Sequence, residues 1–142
     1  MKKTSIIYWS GTGNTEIMAE AIKEGASIEG NEVKLLRVEE ASNNDVVEAD
    51  AIALGCPSMG AEVLEESFME PFVESLKDVD FSGKTVALFG SYDWGDGMWM
   101  REWVDRMKGY GANLVADGLI IHLTPDEAGL QECKDLGALL VK

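Results

Sequence analysis

The sequence predicts an α/β fold: a three-layer sandwich around a five-stranded parallel sheet of order 2-1-3-4-5, with helices on both faces. Three observations carry this reading. Short apolar runs alternate with amphipathic stretches of helical length along the whole 142-residue chain, the pattern of βαβ units and parallel strands. One run, Ala51-Ile52-Ala53-Leu54-Gly55, is apolar throughout, as a strand buried on both faces requires. Loops rich in glycine and polar side chains follow the first, third and fourth runs, at the strand ends where such sheets bind ligands.

The elements follow in order. A strand covers about Lys3–Tyr8, and a helix runs from Asn14 to about Ser27 on Ile17, Met18, Ala21, Ile22 and Ala26, ending near Gly30. The second strand, Glu32–Val38, turns Val33 and Leu35 or Leu36 inward, and a helical turn at Asn43–Val47 leads to the third. Leu64, Phe68, Phe72 and Leu76, spaced by four, predict a helix that Pro71 kinks or restarts. The fourth strand is Thr85–Phe89, and the next helix, Met98–Lys108, sets Trp99, Trp103 and Met107 on one face. A fifth strand, Leu114–His122, is interrupted at Asp117-Gly118. The last helix, Asp126–Val141, buries Leu130, Cys133, Leu136 and Leu140.

Length and composition fit one domain, residues 1–142, with 46% hydrophobic residues and room for a real core. The apolar run after Lys2 and Lys3 is too short for a signal peptide, and no stretch approaches a membrane span. Cys56 and Cys133 lack metal-ligand spacing and read as packing residues of a reduced, cytoplasmic protein. Twenty-six acidic against twelve basic residues give a net charge of −14. That disfavours nucleic acid and anionic membranes as partners and favours proteins with basic surfaces. The sequence shows no metal cluster, no nucleophile–base pair and no apolar stripe beyond the core helices, so it reads as a monomer without catalytic residues. His122, the sole histidine, falls at a strand end and is placed away from the marked loops.

Trp9-Ser10-Gly11-Thr12-Gly13-Asn14-Thr15 lies between the first strand and the first helix. Backbone N–H groups at a helix start cradle a phosphate, and the helix dipole favours the anion. Ser10, Thr12, Asn14 and Thr15 add side-chain hydrogen-bonding groups. No Lys or Arg stands between Lys3 and Lys23, so the loop is expected to hold its anion by dipoles rather than countercharge. It is not a P-loop, since no Lys follows Gly13, and not a dinucleotide fingerprint, since Glu16 replaces the third glycine.

This loop resembles the T-x-T-G-x-T phosphate loop of flavodoxins. Cys56-Pro57-Ser58-Met59-Gly60-Ala61-Glu62 resembles their second flavin loop, and Gly90-Ser91-Tyr92-Asp93-Trp94-Gly95-Asp96-Gly97 their third. The likeness spans almost the whole chain. The fifth strand meets its helix without a long inserted loop, so the chain is most similar to the short-chain type, the clostridial and Megasphaera proteins.

The resemblance implies a flavodoxin-like fold, bound FMN and low-potential one-electron transfer, with the flavin cycling between semiquinone and hydroquinone. It implies an electron carrier without substrate turnover of its own, serving redox enzymes with basic docking surfaces such as ferredoxin-type donors and acceptors. The implied cofactor-binding residues are Ser10, Gly11, Thr12, Gly13, Asn14 and Thr15; Pro57, Ser58, Met59, Gly60, Ala61 and Glu62; and Ser91, Tyr92, Asp93, Trp94 and Gly95. Met59 and Trp94 would cover the inner and outer ring faces, and Glu62 would accept from the flavin N(3)–H. Gly60 would begin a peptide whose carbonyl flips toward N(5)–H. Asp93 departs from the glycine usual there and would add a carboxylate near the pyrimidine edge. Glu62, Glu65, Glu66, Asp93 and Asp96 would ring the flavin with carboxylates and lower its second potential. A small FMN reductase of the same fold would need a substrate cavity over the ring, which Trp94 is expected to cover. A receiver domain would need an acidic cluster after the first strand, where Trp9-Ser10 stands, and a lysine after the fifth, where Leu123-Thr124 stands.

Overall fold

The computed structural model describes residues 2–60 and 62–142. Strand β1 (Lys2–Tyr8) leads into helix α1 (Asn14–Ala26), strand β2 (Asn31–Arg37), the short helix α2 (Asn43–Val47) and strand β3 (Ala51–Gly55). Helix α3 (Met69–Glu74), strand β4 (Thr85–Tyr92) and helix α4 (Met98–Gly109) follow. Strand segments β5 (Asn113–Leu114) and β6 (Leu119–His122) then precede helix α5 (Glu127–Leu140).

All the strands are parallel, and the sheet runs β2-β1-β3-β4-β5 with β6 also on β4. The predicted order 2-1-3-4-5 therefore stands. The fifth position is split: β5 pairs with Thr85 and Val86, β6 with Phe89 to Tyr92. The chain bulges between them, at the interruption expected from Asp117-Gly118. A Cβ on Gly118 would overlap the Met100 side chain, so the bulge lies against α4 and a side chain there would require Met100 to move.

The core lies in two layers, one on each face of the sheet. On one, Ile6 and Tyr8 of β1 and Phe89 of β4 meet Met18 and Ile22 of α1 and Cys133, Leu136 and Leu140 of α5. On the other, Ile7, Ile52, Leu54, Val86 and Leu88 meet Val46, Met69, Phe72, Val73, Trp99, Trp103 and Met107. β3 feeds both layers from alternate residues, which is why its run is apolar without a break. A Cβ on Gly25 would overlap the Lys134 carbonyl, and one on Gly137 the Ile22 carbonyl, so α1 and α5 touch backbone to backbone.

One element differs from the spacing argument. Leu64 and Phe68 lie outside α3, and Phe68 is exposed. The helix begins late because the Glu65 carboxylate accepts from the N–H groups of Ser67 (2.8 Å), Phe68 (2.7 Å) and Met69 (3.0 Å). Those are the donors a helix start leaves unpaired. Burial would raise the Glu65 carboxyl, but these backbone bonds outweigh it and hold it below its ordinary value. Pro71 sits in the first turn of α3, where its missing N–H costs nothing; this is the restart its position predicts.

Candidate functional site

The marked loops leave the carboxyl ends of β1, β3 and β4 side by side. In the first, Gly13 takes φ 99° as the residue before α1. The Ser10 hydroxyl accepts from the amides of Gly13 (3.1 Å) and Glu16 (3.3 Å), so Ser10 shapes the loop from within. The amides of Gly11, Thr12, Asn14 and Thr15 meet no acceptor among the described residues. That row of free N–H groups at a helix start is an anion cradle. The buried Thr15 hydroxyl meets that of Ser91 at 2.9 Å, tying the cradle to β4.

A cation stands near the first loop, ion-paired with Glu16 and Glu39. Arg37, at the end of β2, donates from Nη2 to the Ser10 carbonyl at 2.9 Å and from Nη1 to Glu16 at 3.3 Å. Its guanidinium also lies 5.5 Å from the centre of the Tyr8 ring. A cation from the neighbouring strand thus braces the loop from behind. Sequence spacing could not reveal it, because the contact depends on β2 pairing in register with β1.

The second loop is built on a short antiparallel bridge. Met59 N–H donates to the Val63 carbonyl (2.9 Å) and Val63 N–H to that of Met59 (3.0 Å). They enclose Gly60 at φ 48° and Glu62 at φ 56°; Ala61 lies outside the described residues. Its base is fixed to the sheet: Cys56 N–H donates to Phe89 O, Ser58 N–H to Ser91 O, and the Trp99 indole to Cys56 O. A Cβ on Gly90 would overlap that Cys56 carbonyl, so the glycine lets the second loop lie against β4. The buried Cys56 thiol is pushed up to about 12 by burial, which keeps it a neutral packing group.

Glu62 is only 5% exposed, and its two carboxylate oxygens accept from the amides of Asp96 (3.1 Å) and Trp99 (3.3 Å). It joins the second loop to the third and places a negative charge at the start of α4, where the helix dipole favours it. β4 extends three residues further than its apolar run predicts, so Gly90, Ser91 and Tyr92 belong to the strand and the third loop proper begins at Asp93. Trp94 is 60% exposed and projects from this loop.

Between the loops lies a cleft of about 210 Å³. Gly11, Thr12 and Asn14 line it from the first loop; Pro57, Ser58 and Met59 from the second; Ser91, Tyr92 and Asp93 from β4 and the third. Trp9 and Leu123 complete the wall and were not among the predicted site residues. Trp9 could have been suspected as an aromatic inside the motif; Leu123 carries no local signal. Trp94 is not part of this wall. A narrow apolar slot beside a row of free amides suits a planar heteroaromatic ring carrying a phosphate. The donor set therefore fits FMN.

The sequence pattern of the flavodoxin family matches residues 6–137. The chain belongs to the flavodoxin family. Flavodoxins are FMN-binding electron carriers, and this chain is similar to that of Clostridium beijerinckii, 50% identical over 132 residues covering 93% of this chain and 94% of that one. It is 44% identical to the flavodoxin of Megasphaera elsdenii over 137 residues, 96% of this chain and 97% of that one. The solution structure of the two-electron reduced M. elsdenii flavodoxin superimposes with a TM-score of 0.86 at 43% identity, covering 97% of this chain and 98% of that one.

Two further expectations about the site change. Of the five carboxylates expected around the flavin, Glu65 turns inward to cap α3, Glu62 binds amides, and Asp96 pairs with Arg101 at 3.0 Å. Glu66 and Asp93 remain exposed without a cation among the described residues. Amide hydrogen bonds leave the charges of Glu62 and Glu65 in place, so of the five Asp96 alone is offset by a cation among the described residues. His122 is not remote: its Nε2 lies 2.9 Å from the Asp93 carbonyl, and its ring packs on Tyr92.

Proposed function

We propose that this chain is a low-potential one-electron shuttle that moves bound FMN between semiquinone and hydroquinone for partner oxidoreductases. The observation that carries this reading is the cleft itself, with free amides at one end and apolar walls along its length. Bound FMN supplies the one-electron chemistry. The amides of Gly11, Thr12, Asn14 and Thr15 hold the phosphate, with Gly13 giving the turn and Ser10 its shape. Pro57, Ser58 and Met59 would take the inner ring face, and exposed Trp94 would cover the outer one. Ser91, Tyr92, Asp93 and Gly95 flank the pyrimidine edge, and Glu62 serves both the ring and α4. Gly60, with Ala61 after it, provides the peptide whose carbonyl turns toward the flavin.

The acidic balance of −14 supports docking to basic-faced, ferredoxin-type partners by long-range attraction. The proposed state is a cytoplasmic monomer; among the described residues no helix is long and apolar enough to cross a membrane. The test is steady-state assay of the FMN-loaded protein. It is expected to show no turnover with NADH or a quinone alone, and to pass electrons to a ferredoxin-dependent enzyme at a rate that falls as salt rises. Turnover without a partner protein would instead make it a reductase.

A further inference from the structure

A fourth stretch borders the cleft, outside the three loops. His122, Leu123 and Thr124 follow one another at the end of β6, and each engages a different part of the site. The His122 ring packs on Tyr92 with centroids 5.1 Å apart, and its Nε2 lies 2.9 Å from the Asp93 carbonyl. A carbonyl can only accept, so Nε2 carries the proton. Leu123 lines the cleft, and its N–H donates to the Tyr92 carbonyl at 2.8 Å. The Thr124 hydroxyl donates to Asn14 Oδ1 at 3.0 Å, beside the amide cradle.

The backbone makes the case stronger. Leu123 takes φ 59°, and Glu62 is the other non-glycine residue with a positive φ among those described. Both border this site. A leucine in that region is unfavourable, and such strain persists where neighbours impose it, often at ligand clamps. Leu123 is 45% exposed, so core burial does not compensate. Among the described residues the first loop is otherwise tied to β4 by the buried Thr15–Ser91 pair.

We propose that His122–Leu123–Thr124 is a clasp that holds the third loop against the first and sets FMN affinity. His122 and Thr124 are positioning residues; Leu123 is an apolar contact for the flavin, held in place by the strained turn. The proposal rests on FMN occupying this cleft.

The test titrates each apoprotein with FMN by quenching of flavin fluorescence, with thermal melts of the same apoproteins in parallel. His122→Ala is expected to weaken FMN binding about five- to tenfold, the effect of one lost hydrogen bond. His122→Gln retains an N–H donor and should restore affinity to within about twofold. Thr124→Val should weaken binding and Thr124→Ser restore it. Leu123→Gly separates clamp from packing: glycine accepts the positive φ freely, so the apoprotein should melt no lower while FMN binds more weakly. Unchanged affinity in the Ala, Gly and Val variants overturns the proposal. So does Leu123→Gly losing melting temperature and affinity together, because that marks a packing residue. Failure of the unmodified protein to bind FMN would overturn the placement of FMN in the cleft, and the clasp with it.

Discussion

Gly95 and Glu62 form the closest side-chain fit in the site. Gly95 has φ 89°, and a Cβ there would overlap the Glu62 carboxylate. Gly95→Ala is therefore expected to cost about 1–3 kcal/mol and to free Glu62 from the amides of Asp96 and Trp99. A lower urea midpoint with an unchanged slope would register it; an unaltered midpoint would mean Glu62 is not held as described. Gly60 differs, since its φ is 48° and no atom lies within 4 Å of a Cβ placed there. Space alone does not admit a side chain at that positive φ, least of all a β-branched one, so Gly60→Thr should lose some stability and resist the peptide flip. The loss of one hydrogen bond, about 0.5–1.5 kcal/mol, should narrow the gap between the two one-electron potentials by about 20–65 mV. An unchanged gap would remove the flip from the account. The site residues readable from sequence are those whose chemistry is local: the glycines and hydroxyls of the first loop, Met59, Tyr92. Arg37, Leu123 and His122 were not readable, because each reaches the site through strand pairing between distant segments.

Helices and strands were legible where one periodicity dominated. The β3 run and the Trp99–Trp103–Met107 face matched their elements closely. α3 was misjudged because the four-residue spacing from Leu64 continued through a loop, and the competing signal was Glu65 capping the helix four residues later. That cap is testable by pH. The Glu65 pKa is lowered in the folded protein, so its stabilisation is fully present above the ordinary glutamate value of about 4.3. It is lost as pH falls through the lower folded value. The stability difference between the protein and its Glu65→Gln variant should be constant near neutrality and shrink below about pH 4. A difference independent of pH would contradict the cap. The α1–α5 crossing gives a second element-scale prediction. Gly25→Ala or Gly137→Ala must separate two backbones, which should cost about 1–3 kcal/mol by urea unfolding, with FMN affinity little changed.

At the scale of the whole molecule, fold and ligand geometry have one origin. A parallel doubly wound sheet brings three strand ends together at its switch point, and the −14 charge surrounds that edge with a field that salt screens. Raising ionic strength should therefore lift the second reduction potential. No response at all would remove electrostatics from the explanation of a low potential. The most direct test of the central claim is stepwise anaerobic photoreduction of the protein with one equivalent of FMN, followed by visible absorbance. The account predicts tight binding and passage through the blue, long-wavelength absorbance of a flavin holding one electron before the colour is lost. Direct bleaching without that intermediate colour would contradict one-electron transfer, and free FMN behaviour throughout would contradict the cleft as its binding site.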